Sequence, residues 1–264
     1  MSLIALTSAS ASPGTTTAAL GLALNWPRPV VVIEADPAGT RAISAGYFRG
    51  GQLPTSANIV DLAVSHRQGT LVEDLPGLLF TIPKTTVQVL TGPLRHNQAR
   101  SLEPLWEPLA GLLKSLERNG QDAIVDLGRL GLEGFGHKLL TAADLALMAT
   151  RSDLPGLVAA SSWAPSLISS FEHVGATNAL GALLIGPGRP YGANEAAKVL
   201  NLPITATLAW DPDSARVYSH GENPHRKFAS GPLNKSLRAA IQAMQSTLAT
   251  SRAQLEMTVD RSPR

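Results

Sequence analysis

Small and hydroxylated residues cluster near the amino terminus, between a short apolar run and a predicted helix. The octet at 10–17 reads SASPGTTT. Small residues let backbone N–H groups converge on a phosphate, and the amino end of a helix adds the positive end of its dipole. A threonine that enters such a helix can ligate magnesium. The octet therefore indicates a phosphate-binding loop, and the alternative is a turn that only caps the helix.

Aspartates follow two later apolar runs. Asp36 comes after the run at 30–35 and precedes Pro37, and Asp126 closes the run at 123–126. Open parallel sheets bind ligands at the carboxyl ends of their strands. We therefore expect both carboxylates at the same edge of a sheet as the octet. The alternative for Asp36 is an Asp-Pro turn, which is common, and an apolar run that ends in one aspartate also arises by chance.

The elements that would position these loops alternate between strand and helix. The continuous apolar run at 30–35 is typical of a parallel strand buried on both faces. This alternation predicts a doubly wound, mostly parallel α/β sheet with helices on both faces. We predict one domain over 1–257 and a polar tail over 258–264. The predicted strands, about seven, are 3–7, 30–35, 87–90, 123–126, 145–150, 182–185 and 204–209; the predicted helices are 18–24, 102–118, one after 155, 194–200 and 233–248.

Composition excludes several kinds of site. The chain of 264 residues has no cysteine, which rules out disulfides, thiolate metal sites and cysteine-ligated iron–sulfur clusters. Its six histidines lack the spacing of zinc ligands. The net charge is +2 without a block of basic residues, so charge gives no support for nucleic-acid binding. We expect a cytoplasmic protein, because no secretory leader and no apolar run of about 18 residues is present.

The octet resembles the deviant Walker A motif of the ParA/MinD family of P-loop ATPases, whose form is K-G-G-x-G-K-T-T. Gly14 matches the last glycine, and Thr16 and Thr17 match the two threonines. The resemblance implies a P-loop NTPase fold of the SIMIBI type that binds ATP or ADP with magnesium. Its order of motifs extends from residue 3 to about 240. The nearest similarity is to the pilus-assembly, CpaE-like branch and to an actinobacterial ParA-like subgroup.

The octet departs from the family motif at its charged positions. Ser10 stands where the family has its signature lysine, which reaches the partner's nucleotide in a dimer, and Thr15 stands where a lysine contacts the β- and γ-phosphates. Pro13 has no N–H to offer a phosphate. Removal of one preorganised donor costs about 3 kcal/mol of transition-state stabilisation. We therefore expect weak nucleotide binding and little hydrolysis.

Three further loops match the family by position. Asp36 would orient the attacking water, and Asp126 would end a Walker B strand, although Gly128 and an arginine follow it where relatives usually have prolines. Gly186 stands where many relatives carry a base-contacting asparagine. The resemblance implies magnesium ligation, partly through water, by Thr16, Asp36 and Asp126. It implies nucleotide binding by Ser12, Gly14, Thr15, Thr16, Thr17, Asp211 and Pro212.

The last helix has an apolar face that allows two interpretations. Leu237, Ile241, Met244 and Leu248 recur at helical spacing. MinD-like proteins have a membrane-binding amphipathic helix at their carboxyl end. We favour a face that packs on the sheet, because the residues that follow are polar and include two acids.

Three functions remain open from the sequence. The first is a scaffold or nucleotide-responsive localisation or assembly factor for pilus, secretion or cell-positioning machinery. It would be a homodimer with a degraded ATP site and a protein partner, through which it could attach to a membrane. The second is an active ATPase that takes its missing lysine from elsewhere, with Lys84, Lys138 or a partner chain as candidates. The third is a DNA partition protein, which needs a basic face that the sequence does not indicate.

Overall fold

One twisted sheet organises the molecule. The structure, a computed structural model, describes residues 3–10, 13–39, 42–48 and 57–260, without the side chains of 42 and 255–260. Among these residues eight strands pair in the order β3-β4-β2-β5-β1-β6-β7-β8. Every neighbouring pair is parallel except β3 with β4. The strands are β1 (Leu3–Ser8), β2 (Val30–Glu34), β3 (Phe80–Thr81), β4 (Gln88–Leu90), β5 (Asp122–Arg129), β6 (Leu145–Arg151), β7 (Leu180–Ile185) and β8 (Ile204–Leu208).

The seven predicted strands are therefore confirmed, and β3 is the addition. It has two residues and pairs antiparallel with β4 at the sheet edge. Two residues are too few to show a hydrophobic period, so no pattern indicated a strand there.

Helices cover both faces of the sheet. They are α1 (Thr15–Leu24), α2 (Ala42–Tyr47), α3 (Ile59–Gln68), α4 (Leu71–Leu78), α5 (Trp106–Ser115), α6 (His137–Thr141), α7 (Leu154–His173), α8 (Ala193–Leu200), α9 (Pro212–His220) and α10 (Pro232–Asp260). One apolar core joins the sheet to α3, α4, α5, α6, α7 and α8, and a second core joins it to α1, α2, α9 and α10. The doubly wound arrangement is thus confirmed.

Several helices differ from their predicted bounds. The predicted helix at 102–118 is a 3-10 segment at His96–Leu105, then α5, then a second 3-10 segment at Leu116–Asn119. Helix α3 was not predicted, although Asn58 and Asp61 form a capping box at its start. Helix α10 continues to Asp260, inside the predicted polar tail. The predicted limit of the domain at 257 stays a prediction.

Helix α10 packs on the sheet, as we favoured. Leu237, Ile241, Met244 and Leu248 are all buried in the core that α10 shares with α1 and the sheet. Leu237 lies so close to Gly21 of α1 that a Cβ at Gly21 would be 2.9 Å from Leu237 Cδ1. Within the described part of the chain, no helix is long and apolar enough to cross a membrane.

Strand order places the first loop at the centre of the sheet. After β1, the chain builds β2, β4 and β5 on one side and then β6, β7 and β8 on the other, so β1 lies between β5 and β6. Crevices form at such switch points, at the carboxyl ends of the strands. Ser8 at the end of β1 and Pro13 and Gly14 before α1 line this crevice.

Candidate nucleotide-binding site

The loop after β1 ends in a glycine that the backbone requires. Gly14 has a φ of 103°, in the left-handed region, and is the N-cap of α1. It has no side chain to cap the helix, and the N–H groups of the first turn of α1 have no partner within the helix. These donors and the positive end of the helix dipole form an anion-binding arrangement. The predicted ligand Ser12 lies outside the described residues.

Thr15 is a buried hydroxyl at the same helix end. Its residue is 6% exposed, and its Oγ1 has no hydrogen-bond partner among the described residues. A buried polar atom without a partner usually costs free energy. Thr15 also lines the main cleft of the molecule. Its Oγ1 is closed to solvent, so the hydroxyl would bond a ligand group at the amino end of α1 only after the side chain turns.

Thr16 connects the helix to the strand behind it. Thr16 Oγ1 donates a hydrogen bond of 2.5 Å to Asp126 Oδ2, and the N–H of Gly128 donates one of 3.0 Å to Asp126 Oδ1. Burial raises the pKa of Asp126 to about 7; these two hydrogen bonds lower it, and the nearby charges of Asp36 and Glu34 raise it. Thr16 and Asp126, which the resemblance assigned to one magnesium ion, are therefore in direct contact at the edge of the sheet.

Asp36 lies against Gly128, on the adjacent strand. A Cβ at Gly128, whose φ is 64°, would stand 2.2 Å from Asp36 Oδ1. Asp36 Oδ1 accepts a 2.9 Å hydrogen bond from the N–H of Ala38. Burial raises the pKa of Asp36, while the Ala38 hydrogen bond and the positive charge of Arg129 lower it. Glycine at 128, where the resemblance led us to expect proline, is what leaves room for the Asp36 carboxylate.

These groups open into one large cleft. Its volume is about 1230 Å³. It is lined by Gly14, Thr15, Thr16, Thr17, Asp36, Gly128, Arg129 and Arg151, and, at the β8 side, by Ile185, Leu208, Trp210, Asp211 and Pro212. The structure thus brings together every described residue of the predicted nucleotide-binding set. Asp126 does not line the cleft itself, but it is hydrogen-bonded to Thr16, which does.

The oxygen donors at this place fit magnesium. Mg²⁺ prefers hydroxyl and carboxylate oxygens, keeps several waters and needs few protein ligands. Thr16 and Asp126 supply one hydroxyl and one carboxylate, and Asp36 lines the cleft beside them. Within the described residues, no group of three or more histidines and carboxylates is arranged to hold a metal by itself. The fit is therefore to a cation held partly through water and ligand oxygens.

The candidate lysines are not in the cleft. Lys138 Nζ lies 2.7 Å from Glu107 Oε2 on the exposed surface, and Lys84 lies in the turn between β3 and β4. Neither lines the cleft, so within the described chain neither lysine stands where the missing ones would. Sequence reasoning missed Arg129 and Arg151, which do line it at the ends of β5 and β6. Their positions directly after buried apolar runs were the available signal.

Asp211 and Pro212 begin α9. Asp211 Oδ1 accepts a 3.2 Å hydrogen bond from the N–H of Ser214, and Pro212 is the first helical residue. Beside them, the guanidinium carbon of Arg151 is 4.8 Å from the centroid of the Trp210 ring. Asp211 thus has a structural role as a helix cap in addition to its place in the cleft wall.

Known proteins share this fold. No family model and no curated protein matches the sequence. Among solved structures, MinD in the MinC:MinD cell division complex of Aquifex aeolicus is 14% identical, with a TM-score of 0.69 over 93% of this chain and 96% of that one. A ParA family ATPase from Chlorobium tepidum is 17% identical, with a TM-score of 0.68 over 92% and 97%.

A third similar structure contains a nucleotide. It is the septum site-determining protein MinD of Pyrococcus horikoshii with Mg-ADP, 20% identical, with a TM-score of 0.65 over 92% of this chain and 95% of that one. The alignments span nearly the whole of each chain, so the likeness is to the complete fold. The chain therefore has the P-loop α/β fold of the MinD and ParA family ATPases.

Proposed function

We propose that this protein is a nucleotide-responsive positioning or assembly factor that binds ATP or ADP with magnesium and hydrolyses it slowly. The observation that carries the proposal is the uncapped amino end of α1, which faces the cleft with Thr15, Thr16 and Asp36 around it. An anion of the size of a nucleotide phosphate chain fits these donors. The MinD structure with Mg-ADP supports the same ligand class.

The chain's own residues divide the binding work. The amides of the first turn of α1 and the Thr15 hydroxyl would bond phosphate oxygens, and the Thr16 hydroxyl and Asp126 would hold the cation. Magnesium held by these residues would supply positive charge against the phosphates. Asp36, already bonded by the Ala38 amide, would orient a water at the end of the phosphate chain. The loop thereby orders its ligand without a lysine.

Slow hydrolysis follows from the groups at the charged positions. Ser10 and Thr15 are neutral where the family motif has lysines, and Pro13 lacks an N–H. Electrostatic stabilisation of the transition state is usually the largest single contribution to such catalysis. A protein of this kind would act as a scaffold, through the conformation of its nucleotide-bound state. The degraded site and the CpaE-like affiliation are part of this proposal.

A second candidate is an active ATPase whose cations are arginines. Arg129 and Arg151 line the cleft, and arginine supplies a fixed charge with a fork of donors that suits phosphate. The two candidates differ in turnover and share the binding site. Phosphate release at the rates of ordinary P-loop ATPases would select the second.

Partners are proposed from the same fold. We propose a homodimer with a protein partner in the cytoplasm, since the MinD of Aquifex aeolicus forms a complex with MinC. Any attachment to a membrane would be through such a partner. A DNA partition role is the weaker alternative, because the net charge is only +2.

Calorimetric titration with Mg-ATP and Mg-ADP tests the binding part of the proposal. We expect dissociation constants between about ten micromolar and one millimolar, and loss of binding in Thr16→Ala. Thr247→Ala, on α10 and away from the cleft, is the matched control and should bind as the natural protein does. Absence of binding at millimolar nucleotide would reject the proposed function.

A further inference from the structure

An arginine and a tryptophan form a stacked pair at the far side of the cleft. Arg151 ends β6, and Trp210 follows β8, with β7 between these strands. The guanidinium carbon lies 4.8 Å from the centre of the Trp210 ring, the geometry of a cation–π contact. Both residues line the cleft, and Trp210 is 37% exposed. An indole ring and a guanidinium group are therefore stacked in the wall of the cleft.

The first residue after β7 contributes no side chain to this surface. Gly186 has a φ of 73°, and a Cβ there would lie 3.3 Å from Trp210 Cβ. The side-chain amide that the resemblance led us to expect after this strand is therefore missing, and the tryptophan is packed close to the backbone in its place. A ligand at this position would therefore have no side-chain amide after β7 to form hydrogen bonds with its edge.

Asp211, the nearest carboxylate, is already bonded. Its oxygens accept hydrogen bonds from Ser214, and the backbone of Leu233 also donates to it. These contacts hold the start of α9. Asp211 is therefore a cap that supports the position of Trp210 and has little capacity left for the edge of a base.

An apolar wall links this surface to the amino end of α1. Ile185, Leu208 and Leu233 line the same side of the cleft. Ile185 lies beside Gly14, where a Cβ would be in ordinary contact with Ile185 Cδ1 at 3.7 Å. A ligand whose phosphates bond the first turn of α1 would lay its uncharged part across this wall, toward Arg151 and Trp210.

We infer that the Arg151–Trp210 pair is the platform on which the base of the nucleotide stacks, and that it binds ATP and GTP with similar affinity. This inference rests on the proposed function. Stacking uses the face of a base, which every base presents, whereas discrimination needs hydrogen bonds to its edge. Arg151 also adds a positive charge on the path to the phosphates.

Titration with three probes tests the platform: Mg-ATP, Mg-GTP and Mg-tripolyphosphate, which has no base. We expect ATP and GTP to bind within about five-fold of each other. Both should bind at least about ten-fold more tightly than tripolyphosphate, because one stacked base contributes a factor of this order. In Trp210→Leu and Arg151→Ala that advantage over tripolyphosphate should shrink to a few-fold. Binding of either nucleotide should also quench tryptophan fluorescence, and the quenching should be lost in Trp210→Leu.

Matched controls separate the platform from general effects. Arg118→Ala removes an arginine from the second 3-10 segment, and Trp163→Leu removes a tryptophan on α7; neither residue lines the cleft. Both controls should keep the affinity and the quenching. If Trp210→Leu does not fold, Trp210→Phe and the quenching in the natural protein provide the test. Trp210→Phe keeps part of the stacking. Its affinity for ATP should therefore be lower than that of the natural protein for ATP and higher than that of the natural protein for tripolyphosphate.

The outcomes distinguish this inference from the proposed function. If none of the probes binds at millimolar concentration, both fail. If ATP binds but tripolyphosphate binds equally well, or if the Trp210 and Arg151 variants bind ATP unchanged, the platform is rejected and the proposed function stands. A preference for ATP over GTP greater than about 100-fold would reject recognition by stacking alone.

Discussion

Thr16 Oγ1 donates a 2.5 Å hydrogen bond to Asp126 Oδ2, across 110 residues of sequence. The contact joins the first turn of α1 to the end of β5, and the N–H of Gly128 satisfies the other oxygen of the carboxylate. A hydroxyl and a carboxylate held so closely are pre-arranged for a shared cation. When no cation is bound, the same contact makes the free energy of unfolding depend on whether Asp126 is ionised.

Stability should therefore fall with rising pH when magnesium is absent. Burial raises the pKa of Asp126 from 3.8 to about 7. The folded protein thus holds this proton more tightly than the unfolded chain does. Its contribution to the free energy of unfolding is therefore complete below about pH 4 and is lost as the pH rises through about 7. Urea unfolding from pH 5 to pH 8.5 measures the effect.

Asp126→Asn is the reference for this pH dependence. The asparagine cannot ionise, so the free energy of unfolding of the natural protein should decline relative to that of the variant between about pH 5 and pH 8. If magnesium binds the ionised carboxylate as proposed, it should reduce the decline in the natural protein alone. Parallel pH profiles for the two proteins would contradict the assignment of this titration to Asp126.

Gly128→Ala should destabilise the protein by about 2 kcal/mol or more. The added Cβ would occupy the place of Asp36 Oδ1, 2.2 Å away, and the left-handed φ of 64° adds strain. Gly175→Ala is the matched control, since Gly175 has a φ of 69° and nothing within 4 Å of its Cβ position. We expect about 1 kcal/mol for that control in urea unfolding. Equal losses in the two variants would mean that the contact with Asp36 costs nothing.

Thr15→Lys should increase nucleotide affinity at least about ten-fold. The side chain at 15 lines the cleft at the amino end of α1, so a lysine there can extend toward bound phosphates. Calorimetry and phosphate release measure affinity and turnover in the same preparations. Thr141→Lys, on the exposed surface of α6, controls for added charge. An unchanged affinity in Thr15→Lys would indicate that the arginines already serve this position.

Leu237→Ala should lower the free energy of unfolding by about 2–5 kcal/mol. Leu237 is 1% exposed and packs against Gly21, so its loss leaves a cavity between α10 and α1. Val199→Ala, at a residue 54% exposed, should change stability by less than about 0.5 kcal/mol. A negligible effect of Leu237→Ala would contradict the packing of α10 on the sheet.

Much of the fold could be predicted because burial leaves a local pattern. Strands buried on both faces are mostly apolar, as the four apolar residues at 30–33 of β2 are, and the polar residues that follow mark the edge where ligands bind. Short elements leave no such pattern of apolar residues. Strand β3 has two residues, and the 3-10 segment before α5 has no 3.6-residue period. Their existence depends on the neighbours they pack against.

The cations of the site could not be predicted in the same way. Lys138 was a reasonable candidate by residue type, yet the fold pairs it with Glu107, 31 residues away. Arg151 gave no motif, and its contact with Trp210 exists because β6, β7 and β8 lie side by side.

By itself, the sequence determined the alternation of strands and helices, the glycine and threonines at the start of α1, and the aspartates at two strand ends. Each of these is a local property, set by hydrophobic periodicity or by the backbone conformation that a residue allows. Only the tertiary structure decided that Thr16 meets Asp126, that Asp36 rests on Gly128, and that Arg151 stacks on Trp210. The physical reason is strand order: β1 lies between β5 and β6, and contacts across neighbouring strands join residues that no local pattern connects.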